Sequence, residues 1–187
     1  MSESDIEESH ESAQEKLEKT DEEDCSLVPL SSEYSKKLES RVKRRYIEKI
    51  SLFGIDPATL WNAKLDPECL PPIEATDLLS YLVLDTSFYT AKQFKAFKSL
   101  EAYNQMVSGF IASVQGKVIA GKYVVIAKVR HSQRMNDPPI PIWIISSEEG
   151  TVISAHCMGC KARLAEKCSH VASVLFILRH GQESTGN

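Results

Sequence analysis

The pattern of apolar and polar residues divides the chain into a helical half and a strand-rich half. Residues 33–53 carry an apolar stripe broken by basic residues, which predicts a helix, and Gly54 is placed to end it. The other predicted helical segments are a short turn or helix opened by Asp56-Pro57 and two longer ones that begin near Thr76 and after Thr90. The pattern therefore predicts a helical region over residues 31–105.

From Met106 the chain changes to short runs rich in β-branched and aromatic residues, which are typical of strands. The predicted strands are Val107–Val114, Tyr123–Val129, Ile142–Ile145 and Val152–Ala155, with turns at Gly116, Gly121 and Ser147–Gly150. The last of these turns indicates an antiparallel hairpin. We therefore expect an antiparallel meander or a set of hairpins within a region over residues 106–180.

A final helix is predicted near the C-terminus. The apolar residues there repeat at the spacing i, i+3, i+4 and i+7, as Val171, Val174, Leu175 and Leu178. Ser169 suits the N-cap position of this helix. The predicted fold class is therefore α+β, with N-terminal helices, antiparallel strands and a C-terminal helix laid against the sheet.

The charge is distributed unevenly along the chain. Residues 1–24 contain eleven Asp and Glu against two Lys, a net charge of −9, which leaves fifteen acidic and twenty basic residues, a net charge of +5, for the rest. Residues 1–30 lack aromatic residues and are predicted to be a disordered acidic tail, serving either as an interaction segment or as a solubilising arm.

The sequence also limits the compartment and the class of partner. No apolar run approaches the roughly 20 residues that span a bilayer, and the acidic start is unlike a signal peptide or a mitochondrial presequence. We therefore expect an intracellular protein without a membrane partner, in the nucleus rather than the cytoplasm. Disulfides are rare in such compartments, so clustered cysteines favour a metal site.

Candidate chemistry is concentrated in one cysteine–histidine cluster. Cys157, Cys160, Cys168 and His170 provide three thiolates and one imidazole, the donors that structural zinc sites use in tetrahedral geometry. Gly159 suits a tight turn between the first two cysteines, because glycine can take a positive φ without steric cost. Because all four positions are filled by protein, the pattern predicts a structural Zn²⁺ site and no enzymatic activity.

Several alternatives to this zinc hypothesis remain open. The cysteines could be ordinary thiols, with His170 as a helix residue, and a thioredoxin-like or catalytic role for them has less support because no βαβ pattern and no third orienting group is present. His156 could replace a cysteine as ligand, although an exposed position or a place behind the ligands is favoured. No role is assigned to Cys25 and Cys69.

The cluster and the helix after it resemble the SWIM-type zinc finger found in transposase-like and other nuclear proteins. A less specific similarity to uncharacterised animal SWIM proteins extends upstream of the cluster. It covers YTAKQFKAFKSLEAY at residues 89–103, Val107-Ser108-Gly109 and the segment 129–134. The resemblance implies a ββα-like zinc module over about residues 142–179. Some of these relatives carry a YqaJ-like nuclease domain, which this sequence lacks, so nuclease activity is not carried over.

Two features depart from the SWIM pattern. The family's first pair is Cys-x-Cys, whereas this chain has Cys157-x-x-Cys160, and Arg163 and Ala165 stand where glycines are common. Because Cys-x-x-Cys is itself a common zinc pairing, the metal is expected to be retained with an altered loop.

The expected function is therefore zinc binding in a module that interacts with DNA or with a protein. Lys92, Lys95 and Lys98 share one predicted helix face and, with the basic run at 41–45, could contact phosphates. An ordinary charged helix surface explains them as well, and most aromatic residues are placed in the predicted core, which gives base stacking little support. A protein adaptor that does not bind nucleic acid, or a non-catalytic remnant of a transposon or recombinase-type protein, is the alternative.

Overall fold

The computed structural model describes residues 32–51, 53–84, 99–131, 136–159 and 168–185. The predicted acidic tail and the lysines Lys92, Lys95 and Lys98 lie outside the described residues. In the described part of the chain, helices and a four-stranded antiparallel sheet are present, which confirms the α+β class. None of the described helices combines the length and the apolar character needed to cross a bilayer.

The N-terminal half forms short helices. They are α1 (Glu33–Lys36), α2 (Ser40–Ser51), a 3-10 helix (Pro57–Leu60), α3 (Ala75–Leu79), which continues as a π-helical turn (Ser80–Leu84), and α4 (Ser99–Val107). The single helix predicted over residues 33–53 is thus two helices, with a break that neither Gly nor Pro marks in the sequence. Gly54 has a φ of 79° and follows α2, as predicted.

The sheet is a meander in the order β1-β2-β3-β4, in which each strand pairs with the next. Its strands are β1 (Ile111–Ile119), β2 (Lys122–Val129), β3 (Ile140–Ser147) and β4 (Val152–Cys157). The strand predicted from Val107 is wrong at its start, because α4 extends to that residue and Gly109, with a φ of 69°, follows the helix. The turn after β3 is confirmed by the hydrogen bond from the Gly150 N–H to the Ser147 carbonyl.

Gly116 was expected in a turn, and this expectation is wrong. It lies within β1 opposite Val125, and the chain reverses instead at Ala120 and Gly121, which both have positive φ. Gly116 also exchanges two backbone hydrogen bonds with Asp66, so the segment before α3 runs along the outer edge of β1. A side chain at Gly116 would collide with the carbonyl of Cys69, which explains the glycine there.

Both faces of the sheet are covered, which is why its central strands read as nearly continuous apolar runs. On one side, here called the α5 face, Val125, Ala127, Ile142 and Ile144 pack against helix α5 (Ser169–Thr185). On the other side, the α2 face, Val124, Ile126, Trp143 and Ile145 pack with Val42, Tyr46 and Ile50 of α2. The predicted apolar stripe of α5 is at most 2% exposed, so that helix is anchored firmly in the core.

Candidate metal centre

Three of the four predicted ligands come together where β4 meets α5. Cys157 is the last residue of β4, Cys168 immediately precedes α5, and His170 lies in its first turn. The order of elements explains the meeting point. Because α5 packs on the sheet through its apolar stripe, its N-terminus is held beside the end of β4, and the residues there face the same space.

The donor atoms of these residues form a compact group. Both Cys157 Sγ and Cys168 Sγ lie 3.9 Å from His170 Nδ1, and all three donor atoms are within 4.8 Å of one another. In a tetrahedral site with zinc–sulfur bonds of about 2.3 Å and zinc–nitrogen bonds of about 2.05 Å, sulfur and nitrogen are about 3.6 Å apart. Each sulfur–nitrogen distance therefore needs to shorten by only a few tenths of an ångström to reach the spacing of a metal site.

The two cysteines are buried, at 3% and 4% exposure, while His170 is half-buried. Among the described cysteines, neither Cys157 nor Cys168 forms a disulfide with another. Thiolates are soft donors, and a paired thiolate and imidazole set favours zinc and similar soft or borderline ions over magnesium or calcium. This arrangement can bind a metal ion.

The predicted fourth ligand, Cys160, lies outside the described residues, as do Arg163 and Ala165. Gly159 is described, and its φ is not positive, so it does not use that freedom of glycine. Its role is instead steric, because an added Cβ would lie 3.0 Å from Ile140 Cγ2. The chain after Cys157 thus passes closely over the start of β3.

His156 is neither a ligand nor an exposed residue. Successive residues of a strand point to opposite faces, so His156 lies on the α2 face while Cys157 lies on the α5 face. The imidazole is 3% exposed and stacks on Trp143, with the ring centroids 5.6 Å apart. The favoured expectation for this residue, an exposed position or a place behind the ligands, is therefore wrong, and its position on the α2 face does not support the alternative of a substitute ligand.

The hydrogen bonds of His156 indicate a neutral ring. Its Nε2 is 2.6 Å from the Tyr34 hydroxyl and its Nδ1 is 3.3 Å from the Lys49 ammonium. An ammonium can only donate, so Nδ1 accepts and Nε2 carries the proton. Burial, together with the nearby Lys49 charge, lowers the pKa of His156 to about 3.

Sequence reasoning missed a buried polar network on the same face. The Asp56 carboxylate is 1% exposed and accepts hydrogen bonds from the Tyr46 hydroxyl at 2.6 Å and from the backbone N–H groups of Ser32 and Ala58 at 3.1 Å each. Burial raises the pKa of Asp56, but hydrogen bonds from Ser32 and Tyr46 outweigh burial and hold it below its ordinary value of 3.8. The Asp-Pro signal predicted the helix start that Asp56 caps, but not its link to Tyr46.

The remaining described cysteine is remote from this site. Cys69 is half-buried beside Gly116 in β1, at the opposite edge of the sheet from β4. The candidate centre is thus Cys157, Cys168 and His170 as far as the structure describes it. The chain was compared with protein-family models, with curated proteins and with solved structures, and it matches none of them.

Proposed function

We propose that the chain binds one structural zinc ion through Cys157, Cys160, Cys168 and His170, in a closed site of SWIM type. The observation that carries this proposal is the convergence of three of these residues, distant by up to thirteen positions in the sequence, with donor atoms within 4.8 Å of one another. Cys160 enters from the sequence pattern alone. With three thiolates and a neutral imidazole, the zinc site has a net charge of about −1.

The role of the metal in this proposal is to fasten α5 to β4. Within the described part of the chain, strand β4 is an edge of the sheet and pairs only with β3. A metal ion bound by the last residue of β4 and by the first turn of α5 ties the two elements at the point where the apolar contacts of α5 begin. Four protein ligands leave no position for water or substrate, so the proposed role is structural and not enzymatic.

Metal analysis of the purified chain tests the proposal. We expect one zinc ion per chain, lost or strongly reduced in Cys157→Ser, Cys160→Ser, Cys168→Ser and His170→Gln. Cys69→Ser is the matched control, because it removes a thiol at the opposite edge of the sheet and should keep the full zinc content. A wild-type chain purified without stoichiometric zinc, which also fails to take up added zinc, contradicts the proposal.

A nucleic-acid partner is the interaction that we propose for this module, in line with the SWIM resemblance. The supporting observation is the basic outer side of α2, where Arg41, Arg44 and Arg45 are exposed while Val42 and Tyr46 face the core. If these arginines contact phosphates, the affinity for DNA should fall steeply as the salt concentration rises. A DNA titration at low and at moderate salt tests it. No binding at low salt supports the protein adaptor instead.

A further inference from the structure

An open cleft lies on the α2 face, near the edge of the sheet formed by β1 and far from the candidate metal centre. Its volume is about 270 Å³. Its floor is made by β1 and β2, including Ile126, and one wall by the residues after the 3-10 helix. The lining groups that could contact a ligand are Trp61, Asn62, Lys64, Ser113, Gln115 and Lys128. This size suits one planar ring with a charged group, since sites for drug-sized ligands start at about 300 Å³.

The cleft contains a half-buried indole paired with a cation. The Lys128 ammonium lies 4.5 Å from the centre of the Trp61 ring. This is a cation–π contact, which is weak where solvent reaches it. A planar base stacked on the same indole forms a stronger contact than an exposed ammonium does. A ligand with a flat ring can therefore take the ammonium's place on Trp61.

The other lining groups define the chemistry of such a ligand. Lys64 and Lys128 are the charged members of the lining, and no carboxylate is among the residues that form it. The Gln115 Oε1 accepts from the Leu65 N–H, at 3.4 Å, so its amide NH₂ is the group it offers to a ligand. Asn62 and Ser113 add hydrogen-bonding groups suited to the polar edge of a base. The cleft thus combines an aromatic surface for stacking, two cations, and amide groups that can form hydrogen bonds with the edge of a base.

We propose that this cleft binds a nucleotide unit, with the base on Trp61 and the phosphate on Lys128 and Lys64. The unit can come from a free nucleotide or from a single strand, since both present the same ring and phosphate. A simple anion does not use the indole, and neither does an acidic peptide. The proposal does not depend on the metal, because Ile126 and Cys157 lie on opposite faces of the sheet.

The test measures binding of a fluorescent oligothymidylate to the full chain by anisotropy at about 50 mM salt, with competitors. Trp61→Ala should weaken binding about tenfold or more, while Trp61→Phe should stay within about threefold because a phenyl ring still stacks. Lys64→Gln and Lys128→Gln should each lower the slope of log affinity against log salt by about 0.7. The matched controls are Tyr103→Ala, an aromatic residue 46% exposed on α4, and Lys122→Gln at the other end of β2.

The competitors separate the sources and the rival ligands. Competition by uridine monophosphate supports a site for free nucleotides. If uridine monophosphate does not compete and binding of the oligothymidylate still depends on Trp61, the result supports a site for single strands. Inorganic phosphate or an oligoglutamate that competes as well as the strand overturns the proposal. So does unchanged affinity, within about twofold, in Trp61→Ala. Thermal melting shows whether Trp61→Ala is folded. If it is unfolded, the proposal is overturned when Lys128→Gln and Lys122→Gln have the same slope of log affinity against log salt.

Discussion

His156 and Cys157 are neighbours in β4, yet their side chains lie on opposite faces of the sheet. Cys157 faces α5 and the other two described donors, whereas His156 stacks on Trp143 beneath α2. The end of β4 therefore serves two structures at once. Cys157 contributes a donor atom to the candidate metal centre, and His156 joins the sheet to the N-terminal helices.

Replacement of the two histidines by the same residue should separate these roles. His156→Phe is expected to keep the metal and to lose about 1–3 kcal/mol of unfolding free energy, because the hydrogen bonds with Tyr34 and Lys49 are removed. His170→Phe is expected to lose the metal, since its Nδ1 is a donor atom of the cluster. Metal content and urea unfolding check both variants. A loss of metal from His156→Phe with its fold intact contradicts the placement of the two residues.

Removal of the metal should loosen one part of the molecule selectively. With a strong chelator present, we expect faster amide exchange at the end of β4 and in the first two turns of α5, because the ligands there are no longer tied together. The β1–β2 hairpin should keep its protection, since backbone pairing over its whole length holds it. Hydrogen exchange with mass spectrometry checks this, with Cys69→Ser as control. Equal loss of protection in both regions contradicts it.

Local sequence patterns were sufficient to predict the buried face of an element whose other face is polar. They were also sufficient to predict a shared site where cysteine and histidine residues cluster. The apolar spacing of α5 predicted its buried face, and the short distance between Cys168 and His170 predicted that they share a site. Such signals depend only on residues a few positions apart. They hold because helix geometry places residues i, i+3 and i+4 on the same side.

Tertiary contacts were not predictable in the same way. The predicted last strand ended at Ala155, so the alternation that places His156 and Cys157 on opposite faces was not applied to them. Both faces of β2 and β3 are buried at their centres, so the apolar runs 124–127 and 142–145 contain no polar residue that marks which face is which. From the sequence, Gly116 resembled a turn residue. Glycine is needed there because the Cys69 carbonyl approaches closely, and that carbonyl belongs to a segment 47 positions earlier in the chain.

Asp56 should make the fold sensitive to acid. Its pKa is below the ordinary 3.8 in the folded chain, so the unfolded chain binds a proton first as the pH falls. The stability that Asp56 contributes is thus complete well above pH 3.8 and is lost as the pH falls through that value towards the folded pKa. Asp56→Asn keeps the size of the side chain but removes its charge, and it should cost about 1–3 kcal/mol at pH 7.

The difference in unfolding free energy between the wild-type chain and Asp56→Asn isolates this group, because every other titrating residue is shared. Urea unfolding at several pH values should show a constant difference from about pH 7 to pH 5 and a smaller one below about pH 4. A difference that does not change over the whole range would mean that the Asp56 pKa is the same in the folded and unfolded chains.

Two glycine-to-alanine substitutions should have opposite effects on stability. Gly116→Ala places a methyl group against the Cys69 carbonyl, where backbone rather than a flexible side chain must move, and we expect a loss of about 1–3 kcal/mol. Gly181 lies in α5, and outside that helix no atom of the described residues is within 4 Å of an added Cβ. Gly181→Ala should therefore stabilise the chain by up to about 1 kcal/mol, because alanine favours the helix more than glycine does.

Urea unfolding of both variants, with the midpoint and the slope of each transition compared with those of the wild type, checks these two predictions. Because both variants replace a glycine by an alanine, each is the control for the other. Because Gly116 exchanges both backbone hydrogen bonds with Asp66, Gly116→Ala should also release the segment along the outer edge of β1, with faster amide exchange at Asp66. A Gly116→Ala chain as stable as the wild type, with Asp66 still protected, would show that this segment does not need the close contact with β1.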